Sequence, residues 1–321
     1  MMFNAIQITN DFIENNTDFS TLISELRVGF SKNEIIVPQR HHHDFPNPKV
    51  NTASTLLLMP AWNPSKEAGV KVITVSPENG QYNLPSIQGT YIYLDAAKGD
   101  VKALIEAKNL TAKRTAATSA LASFYLSRKN SKSLLMIGTG ELSVNLIKAH
   151  ASIRPIEQVY IWGRNFDKSL AICKKFSETT QFSIEAIKHI EGKISKVDII
   201  SCATLSKTPL IFGEFLRKGQ HVDLVGAYKK DMREADNMTI KKASVFIDTF
   251  QSGLKESGDI AIPIKNGILK SSDIKADLFE LCSNQKKGRT NESEITVFKS
   301  VGHALEDLVA AKYYYNKISN E

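Results

Sequence analysis

A glycine-rich turn between an apolar segment and a helical pattern is the first part of this chain that predicts chemistry. Residues 133–138, SLLMIG, predict a strand that leads into a turn and a helix, and the turn reads Gly138, Thr139, Gly140, Glu141, Leu142 and Ser143. The first glycine permits a tight bend, and the second lets the backbone approach a pyrophosphate at the helix N-terminus. Ser143 stands where a third glycine is usual, and it is small enough for close helix–strand packing. The turn therefore predicts a dinucleotide-binding site.

The next strand bears on which dinucleotide is bound. In sites specific for NAD, an acidic residue at the end of this strand accepts a hydrogen bond from the ribose 2′-hydroxyl. Here the strand ends in Gly163, Arg164 and Asn165, with no carboxylate before Asp167. An arginine at this position suits stacking on adenine and pairing with a 2′-phosphate. We therefore expect NADP(H) to be favoured, with NAD(H) possible.

Three cationic residues lie at the ends of predicted elements or within them: Arg40, Lys71 and Arg114. Lys71 interrupts the apolar strand pattern GVKVITVS, where a charge is costly unless it has a partner. Arg114 lies near the predicted start of an Ala-rich helix, where the macrodipole does not favour a cation. Each could be an exposed or snorkelling side chain. Convergence of all three on one carboxylate would account for their positions, and it predicts a site for a carboxylate-bearing substrate.

A run of three histidines, His41, His42 and His43, follows Arg40. Adjacent histidines rarely give the geometry of a metal site, and no cysteine or acidic cluster supplies further ligands, so we expect no metal. On a strand, alternate side chains share a face, which puts His41 and His43 either near Arg40 or opposite it. His43 is the histidine predicted to be catalytic, as a proton donor.

The secondary structure that would position these residues can be predicted from three successive regions with different hydrophobic periodicity. Residues 5–30 show helical spacing, and residues 52–105 predict an antiparallel meander bounded by turn sequences. An Ala-rich helix is predicted over 111–127. Strands and helices then alternate, which predicts a parallel sheet covered on both faces, and a closing helix follows. The strands predicted for this sheet are 133–138, 158–163, 182–187, 197–204, 221–226 and 244–248.

The composition is that of a soluble globular protein. Of 321 residues, 42% are apolar and 23% are charged, and the net charge is +7. The basic residues are scattered, and the densest basic pairs lack interleaved aromatics, so we expect a solvated basic surface and no nucleic-acid partner. No apolar run is long enough to predict a membrane helix, and the N-terminus does not resemble a secretory signal. Three widely spaced cysteines suit a reducing compartment, so we expect a cytoplasmic location and no membrane partner.

Seven ordered segments resemble the ornithine cyclodeaminase/μ-crystallin family. They are LLLMPAW, GVKVITVSPENG, LTAKRTAATSALA, MIGTGELS, CATLSKTPLI, VGAYKKDMREAD and VFKSVGHALEDL, and they span about residues 35–315. The resemblance implies an α/β fold: a Rossmann-type parallel-sheet domain plus an antiparallel-sheet α+β domain that binds substrate and forms a homodimer. The substrate-binding domain is implied to comprise residues 1–125 and 300–321, and the dinucleotide-binding domain residues 126–299.

The resemblance also implies roles for individual residues. Arg40, Lys71 and Arg114 match the residues that bind the substrate carboxylate, and Lys71 also lies close to the reacting carbon, which makes it a catalytic candidate. His303 matches a segment that passes near the cofactor. The residues implied to bind the dinucleotide are Arg114, Thr115, Gly138, Thr139, Gly140, Glu141, Leu142, Ser143, Gly163, Arg164, Asn165, Cys202, Ala203, Thr204, Val225, Gly226, Ala227, Tyr228 and Gly302.

The chain departs from the cyclodeaminases at two places. Those enzymes resemble E-L-M-P and V-G-G-D, in which the acidic residues serve the ornithine amine and the proton transfers. This chain has a leucine before Met59 and Tyr228 after Ala227. A δ-ammonium would therefore meet neither carboxylate.

The remaining features suit reduction of a small cyclic imino acid, and the run DMREAD together with Arg164 resembles the ketimine-reductase branch of the family. We predict NAD(P)H-dependent reduction of Δ1-pyrroline-2-carboxylate to L-proline, with Δ1-piperideine-2-carboxylate to L-pipecolate as a second reaction. A protonated imine accepts hydride readily, and fixing its carboxylate aligns C2 with C4 of the nicotinamide. The alternatives are ornithine cyclodeaminase, alanine dehydrogenase and a non-enzymatic μ-crystallin-like binding protein.

Overall fold

The computed structural model of the chain describes residues 5–47, 52–176 and 180–319. The strands in these ranges are β1 (Ile6–Ile8), β2 (His41–Phe45), β3 (Ser54–Asn63), β4 (Glu67–Val75), β5 (Ile87–Asp95), β6 (Val101–Glu106), β7 (Ser133–Ile137), β8 (Gln158–Trp162), β9 (Ser183–Ala186), β10 (Ile199–Cys202), β11 (His221–Leu224), β12 (Ser244–Ile247), β13 (Ala276–Asp277) and β14 (Thr296–Lys299).

The helices in the same ranges are α1 (Asn10–Asn15), α2 (Phe19–Lys32), α3 (Ala107–Leu126), α4 (Glu141–Ile153), α5 (Phe166–Phe176), α6 (Glu191–Ile194), α7 (Asn237–Lys242), α8 (Phe250–Gly253), α9 (Gly258–Lys265), α10 (Leu278–Cys282) and α11 (Ala304–Ser319). Short 3₁₀ helices occupy Pro77–Tyr82, Gly213–Phe215 and Ser271–Asp273. None of the helices in the described ranges has the length and apolar character needed to span a membrane.

The chain packs into two units. The first comprises the described residues up to Thr115 and from His303 onward, and the second comprises Ala116–Gly302. The boundaries predicted from the sequence, at 125/126 and 299/300, differ from these. The first division falls inside α3, and because this helix is uninterrupted, no turn sequence marks the boundary.

The first unit contains a six-stranded sheet in the order β1-β6-β5-β4-β3-β2. The four pairs from β2 to β6 are antiparallel, whereas β1 runs parallel to β6, so the sheet is mixed and not wholly antiparallel as the meander predicted. The strand β1 also corrects the prediction that residues 5–30 are only helical. A strand of three residues is too short to show a period of two, which is why its pattern was missed.

The helix α11 covers one face of this sheet, and α2 packs against α11. The helix α2 begins at Asp18, whose side chain accepts a hydrogen bond from the Ser20 N–H at 3.0 Å, and it buries Leu22, Leu26 and Phe30 at four-residue intervals. The helix α11 packs against α2 and against β3, β4 and β5. The covered face carries the alternate residues of each strand, and Lys71 is among them.

The second unit contains an eight-stranded sheet in the order β13-β12-β14-β11-β10-β7-β8-β9, and every pair in it is parallel. This confirms the predicted α/β fold with a Rossmann-type sheet. All residues of β10, β11 and β14 are buried, as expected for strands covered on both faces. The strands β13 and β14 were not predicted; β13 has only two residues, which is too few to show a pattern.

Candidate active site

A cleft opens at the carboxyl ends of β7, β8 and β10 in the second unit. The strand order reverses between β7 and β10, and ligands of open α/β sheets bind at such a reversal. The cavity there measures about 330 Å³. Its lining residues are Gly138, Thr139, Gly140, Trp162, Gly163, Arg164, Asn165, Lys168, Ala203, Thr204, Leu205, Ser206 and Leu210.

The two glycines of the turn after β7 have different roles. Gly138 has φ +120°, and a Cβ built there would lie 2.6 Å from the carbonyl oxygen of Ala203, so the fold itself requires glycine. Gly140 has φ −85° and is the residue that precedes α4; a Cβ built there meets nothing within 4 Å. The turn therefore leaves open space at the N-terminus of α4, where a phosphate can approach the backbone N–H groups of the first helical turn.

Ser143 supports the turn from beneath. It is buried, and its hydroxyl donates a hydrogen bond to the carbonyl oxygen of Gly138 at 2.8 Å. The N–H of Gly138 donates in turn to the carbonyl of Trp162 at 2.8 Å. The residue that replaces the third glycine therefore links the first turn of α4 to the end of β7.

The charged residues lining the cleft are both basic. They are Arg164 and Lys168, and the described lining contains no carboxylate. Both cations are exposed, so the free protein pays no cost for burying their charges before an anionic ligand binds. Open space at the helix N-terminus and two cations in one cavity fit the phosphates of a nicotinamide dinucleotide.

The other residues predicted to bind the dinucleotide lie at several places. Glu141 and Leu142 form the first turn of α4, and Cys202 is the buried last residue of β10, where burial raises the pKa of its thiol well above the ordinary value. The residues that follow β11 are Val225, Gly226, Ala227 and Tyr228. The N–H of Gly302 donates to the Asp248 carboxylate at 2.8 Å. Arg114 and Thr115 belong to the first unit, which leaves their predicted contact with the dinucleotide untested.

A cluster of buried charges lies in the first unit, on the covered face of its sheet. Lys71 Nζ is 2.7 Å from Asp307 Oδ2, and Arg114 Nε is 2.9 Å from Asp307 Oδ1. Arg114 Nη1 also pairs with Glu306 Oε2 at 2.5 Å. Lys71 and Arg114 are 2% and 5% exposed, and both carboxylates are fully buried. Three elements, β4, α3 and α11, therefore bring this cluster together.

The cluster shifts the pKa values of its members. Burial, and then the charge of Arg114, lower the pKa of Lys71 to about 8, although Asp307 opposes the shift. Burial alone would raise the pKa of Asp307, but Arg114 and Lys71 hold it below its ordinary value. Lys71 can therefore gain or lose a proton close to neutral pH while Asp307 stays ionised.

The buried imidazole of His303 is within electrostatic reach of Arg40 and of the cluster. Burial, followed by the charges of Arg40 and Arg114, lowers the pKa of His303 to about 4. An imidazole with that pKa is neutral at physiological pH, so His303 is not a source of an acidic proton there. The charge of Arg40 thus acts on His303, whose pKa also responds to Asp307 and Arg114.

The structure does not bring His43 together with Lys71. His43 pairs with Leu56 of β3, and Leu56 pairs with Thr74 of β4, so their side chains form one row across the sheet. Met59 and Lys71 pair with each other and are an odd number of positions away from that row, which puts their side chains on the other face. His43 is thus on the opposite sheet face from Lys71, and the prediction that it protonates a substrate bound at Lys71 finds no support in this geometry. His42 lies on the Lys71 face.

The acidic residues of the cluster, Glu306 and Asp307, were missed by the sequence reasoning. They lie in ALEDLVAA, where an acidic pair interrupts a helical apolar pattern, and that pattern was a usable sign of buried carboxylates. In the ion pairs of the cluster, the two cations Lys71 and Arg114 face the two carboxylates of Glu306 and Asp307.

Comparison with known proteins identifies the family of the chain. The profile of the ornithine cyclodeaminase/mu-crystallin family matches residues 8–321. The chain is 39% identical over 292 residues to a Delta(1)-pyrroline-2-carboxylate reductase of Bacillus thuringiensis subsp. konkukian, covering 90% of this chain and 88% of that one. It is 35% identical over 319 residues to a protein of the same name from Colwellia psychrerythraea, covering 98% and 99%.

A solved structure shares the whole fold. It is that of Thermococcus litoralis Delta(1)-pyrroline-2-carboxylate reductase in complex with NADH and L-proline, with a TM-score of 0.90, 32% identity and 98% of each chain covered. The resemblance recognised in the sequence is thereby confirmed. This chain belongs to the ornithine cyclodeaminase/μ-crystallin family.

Proposed function

We propose that this chain is an NAD(P)H-dependent oxidoreductase that reduces the C=N bond of a small cyclic ketimine acid. The favoured substrate is Δ1-pyrroline-2-carboxylate, with L-proline as product, and the six-membered Δ1-piperideine-2-carboxylate is a second candidate. The observation that carries the proposal is the buried cluster at Lys71, because it holds two cations, Lys71 and Arg114, on one carboxylate, and both can form charge-assisted hydrogen bonds to a substrate carboxylate. The names of the relatives and the L-proline of the Thermococcus litoralis complex support the same substrate class.

Different residues of the chain would bind the substrate carboxylate, supply the proton and bind the dinucleotide. When bound, the reduced nicotinamide supplies a hydride for the substrate C2, and the substrate nitrogen takes up a proton. Arg40 and Arg114 hold the substrate carboxylate by charge-assisted hydrogen bonds. Lys71 contributes to the same carboxylate site, and its Nζ, held as an ammonium by Asp307, carries the proton for the nitrogen. The dinucleotide would be held by the turn 138–143 and by Arg164.

Ornithine cyclodeamination is the less favoured function. Its substrate carries a second ammonium group, which requires a carboxylate partner. Glu306 and Asp307 are both ion-paired with Lys71 or Arg114. The residue that follows Ala227 is Tyr228, 39% exposed, which offers no negative charge. An alanine dehydrogenase differs in its substrates, pyruvate and ammonia, and the assay below includes both.

The decisive assay follows the near-ultraviolet absorbance of NADPH or NADH with the purified protein and Δ1-pyrroline-2-carboxylate. Parallel reactions contain Δ1-piperideine-2-carboxylate, pyruvate with ammonia, or L-ornithine with NAD. Fast oxidation with a cyclic imine and none with pyruvate is the expected result. Ammonia release from L-ornithine without imine reduction would overturn the proposal, and activity only with pyruvate would favour alanine dehydrogenase.

We further propose that NADPH is preferred to NADH, because Arg164 lies in the cleft and its described lining lacks a carboxylate. In the variant Arg164→Ala, the KM for NADPH should rise roughly tenfold, since a hydrogen-bonded charge pair is lost. The KM for NADH should rise much less, because NADH loses only the stacking of Arg164 on adenine, which makes NADH the internal control. Equal changes for both cofactors would contradict a contact with the 2′-phosphate.

A further inference from the structure

The second unit contains a group of buried charges that the proposed reaction does not use. Lys299 Nζ, at the end of β14, lies 3.1 Å from Asp259 Oδ2 in α9 and 3.8 Å from Glu234 Oε2. All three residues are fully buried. Burying such charges is costly, and apolar residues of similar volume often serve stability equally well. Stability alone therefore does not account for this group, and the backbone that its members hold indicates its role.

Glu234 bridges two loops that follow neighbouring strands. Its Oε1 accepts hydrogen bonds from the N–H and hydroxyl of Thr204 at 2.6 and 2.9 Å, in the loop after β10. Its Oε2 accepts from the N–H groups of Gly226 and Ala227 at 2.9 and 3.3 Å, in the loop after β11. One carboxylate therefore satisfies four donors and ties the two loops together.

The two loops touch closely, and the carboxylate that joins them is held from behind. A Cβ at Gly226 would lie 2.1 Å from the backbone of Thr204, so glycine is needed there. Asp259 Oδ1 accepts hydrogen bonds from the N–H groups of Glu234 and Ala235 at 2.7 and 3.1 Å. Asp259 therefore fixes the backbone at Glu234, and Lys299 places one positive charge opposite the two carboxylates.

We propose that Glu234 is a positioning residue that fixes the loops after β10 and β11 as one wall of the dinucleotide cleft. Ala203, Thr204, Leu205 and Ser206 line that cleft, and Glu234 acts on it through Thr204. Asp259 and Lys299 hold Glu234 in place. This inference rests on the proposed function, since it assumes that a nicotinamide dinucleotide occupies the cleft. The wall is preorganised, so the ordering of the loops is complete before the nucleotide binds.

The test is the variant Glu234→Gln, which keeps the size of the side chain. Its amide oxygen can serve one loop, but its NH₂ group then faces the N–H donors of the other loop. The Kd for NADPH, measured by calorimetry, should rise roughly tenfold or more. The KM for the imine, measured at saturating NADPH, should change little. A purely structural role would not separate the two constants in this way.

The matched control is Asp223→Asn. Asp223 is also fully buried in the second unit, and its carboxylate accepts a hydrogen bond from the Ser201 hydroxyl at 2.7 Å, away from the cleft lining. This variant should lower stability but leave the Kd for NADPH unchanged. If Glu234→Gln does not fold, Glu234→Asp decides, because its shorter carboxylate reaches only one loop and should weaken NADPH binding to a similar extent.

The outcomes separate this inference from the proposed function. If the wild-type protein binds NADPH and the Glu234 variants bind it equally well, the positioning role is overturned and the proposed function stands. If both Asp223→Asn and Glu234→Gln weaken NADPH binding to the same degree, the effect is general loss of structure and the role is likewise overturned. If the wild-type protein binds neither NADPH nor NADH, the proposed function fails and this inference with it.

Discussion

At the scale of single residues, the environment of Lys71 determines its chemistry. An exposed lysine keeps its proton far above physiological pH, but burial and the neighbouring Arg114 bring the pKa of Lys71 down to about 8. Asp307, at 2.7 Å, prevents a larger fall. A group with such a pKa is an efficient acid near neutral pH, because it is mostly protonated and yet gives up its proton readily.

The pH dependence of the reaction tests this acid role. Because Lys71 loses its proton as the pH rises through about 8, kcat/KM for the imine should fall above that pH. In Lys71→Arg the guanidinium remains charged throughout this range, so the remaining activity, though lower, should show no such fall. Initial rates at saturating NADPH across the pH range measure both profiles. An identical alkaline limb in the two proteins would show that another group titrates.

Asp307 should matter for stability as well as activity. In Asp307→Asn, Lys71 loses the carboxylate that neutralises it in a buried site. Leaving a buried cation without its partner should lower the free energy of unfolding by about 3 kcal/mol or more. Urea titration measures the change. The control is Glu157→Gln, which removes the exposed pair between Lys132 and Glu157 and should change stability little; equal losses in the two variants would contradict the importance of burial.

At the scale of elements, the turn between β7 and α4 contains one glycine that the fold requires and one that leaves room for a ligand. Gly138 has a positive φ and no room for a Cβ, whereas Gly140 has an ordinary φ and open space. Both glycines are part of one short pattern in the sequence. Only the backbone geometry shows that they serve different purposes.

Two alanine variants test this separation. Gly138→Ala should destabilise the protein, because a Cβ would clash with the Ala203 carbonyl oxygen in a strained backbone conformation. Gly140→Ala should leave the free energy of unfolding unchanged but weaken NADPH binding, because its methyl group enters the space that a phosphate would use. Thermal unfolding and calorimetric titration distinguish them. Unchanged NADPH binding in Gly140→Ala would show that the phosphates lie elsewhere.

At the scale of the whole molecule, the first unit's sheet has a second face that carries half-buried apolar side chains. Leu58, Val72 and Ile92 alternate with the residues of the Lys71 face and are all partly exposed. Partly exposed apolar patches of this kind often mark a protein–protein interface. We therefore propose that this face joins two copies of the chain, in line with the homodimer that the family resemblance implies.

Light scattering tests the dimer. The wild-type protein should have about twice the chain mass of 35.6 kDa. The double variant Leu58→Lys/Val72→Lys places two charges at directly paired positions on this face and should be a monomer. The control Leu170→Lys alters an exposed leucine of the second unit and should remain a dimer. A wild-type monomer, or a dimer that survives the double variant, would contradict the proposed interface.

The parallel sheet, the dinucleotide turn and the basic residue after β8 could be predicted from the sequence because each rests on local pattern. A buried strand is a short apolar run, and a turn that needs positive φ selects glycine. The three cations were also identified locally, since Lys71 breaks an apolar strand pattern. By contrast, β1 and β13 were not recognised, because strands of two or three residues show no usable period. The strand β14 was also missed, although it is as long as β10 and β11.

Only the tertiary structure decided how these residues combine. Lys71 and its partner Asp307 are 236 positions apart, and nothing in the sequence of either segment specifies the other. The sheet face of His43 depends on a strand register, in which a shift of one residue would reverse every side chain. Glu234 likewise joins two loops that local patterns treat as independent. The sequence by itself therefore determined the fold class and the candidate cations, whereas packing between distant elements decided which charges are paired, because a buried charge is stable only where the folded chain supplies its partner.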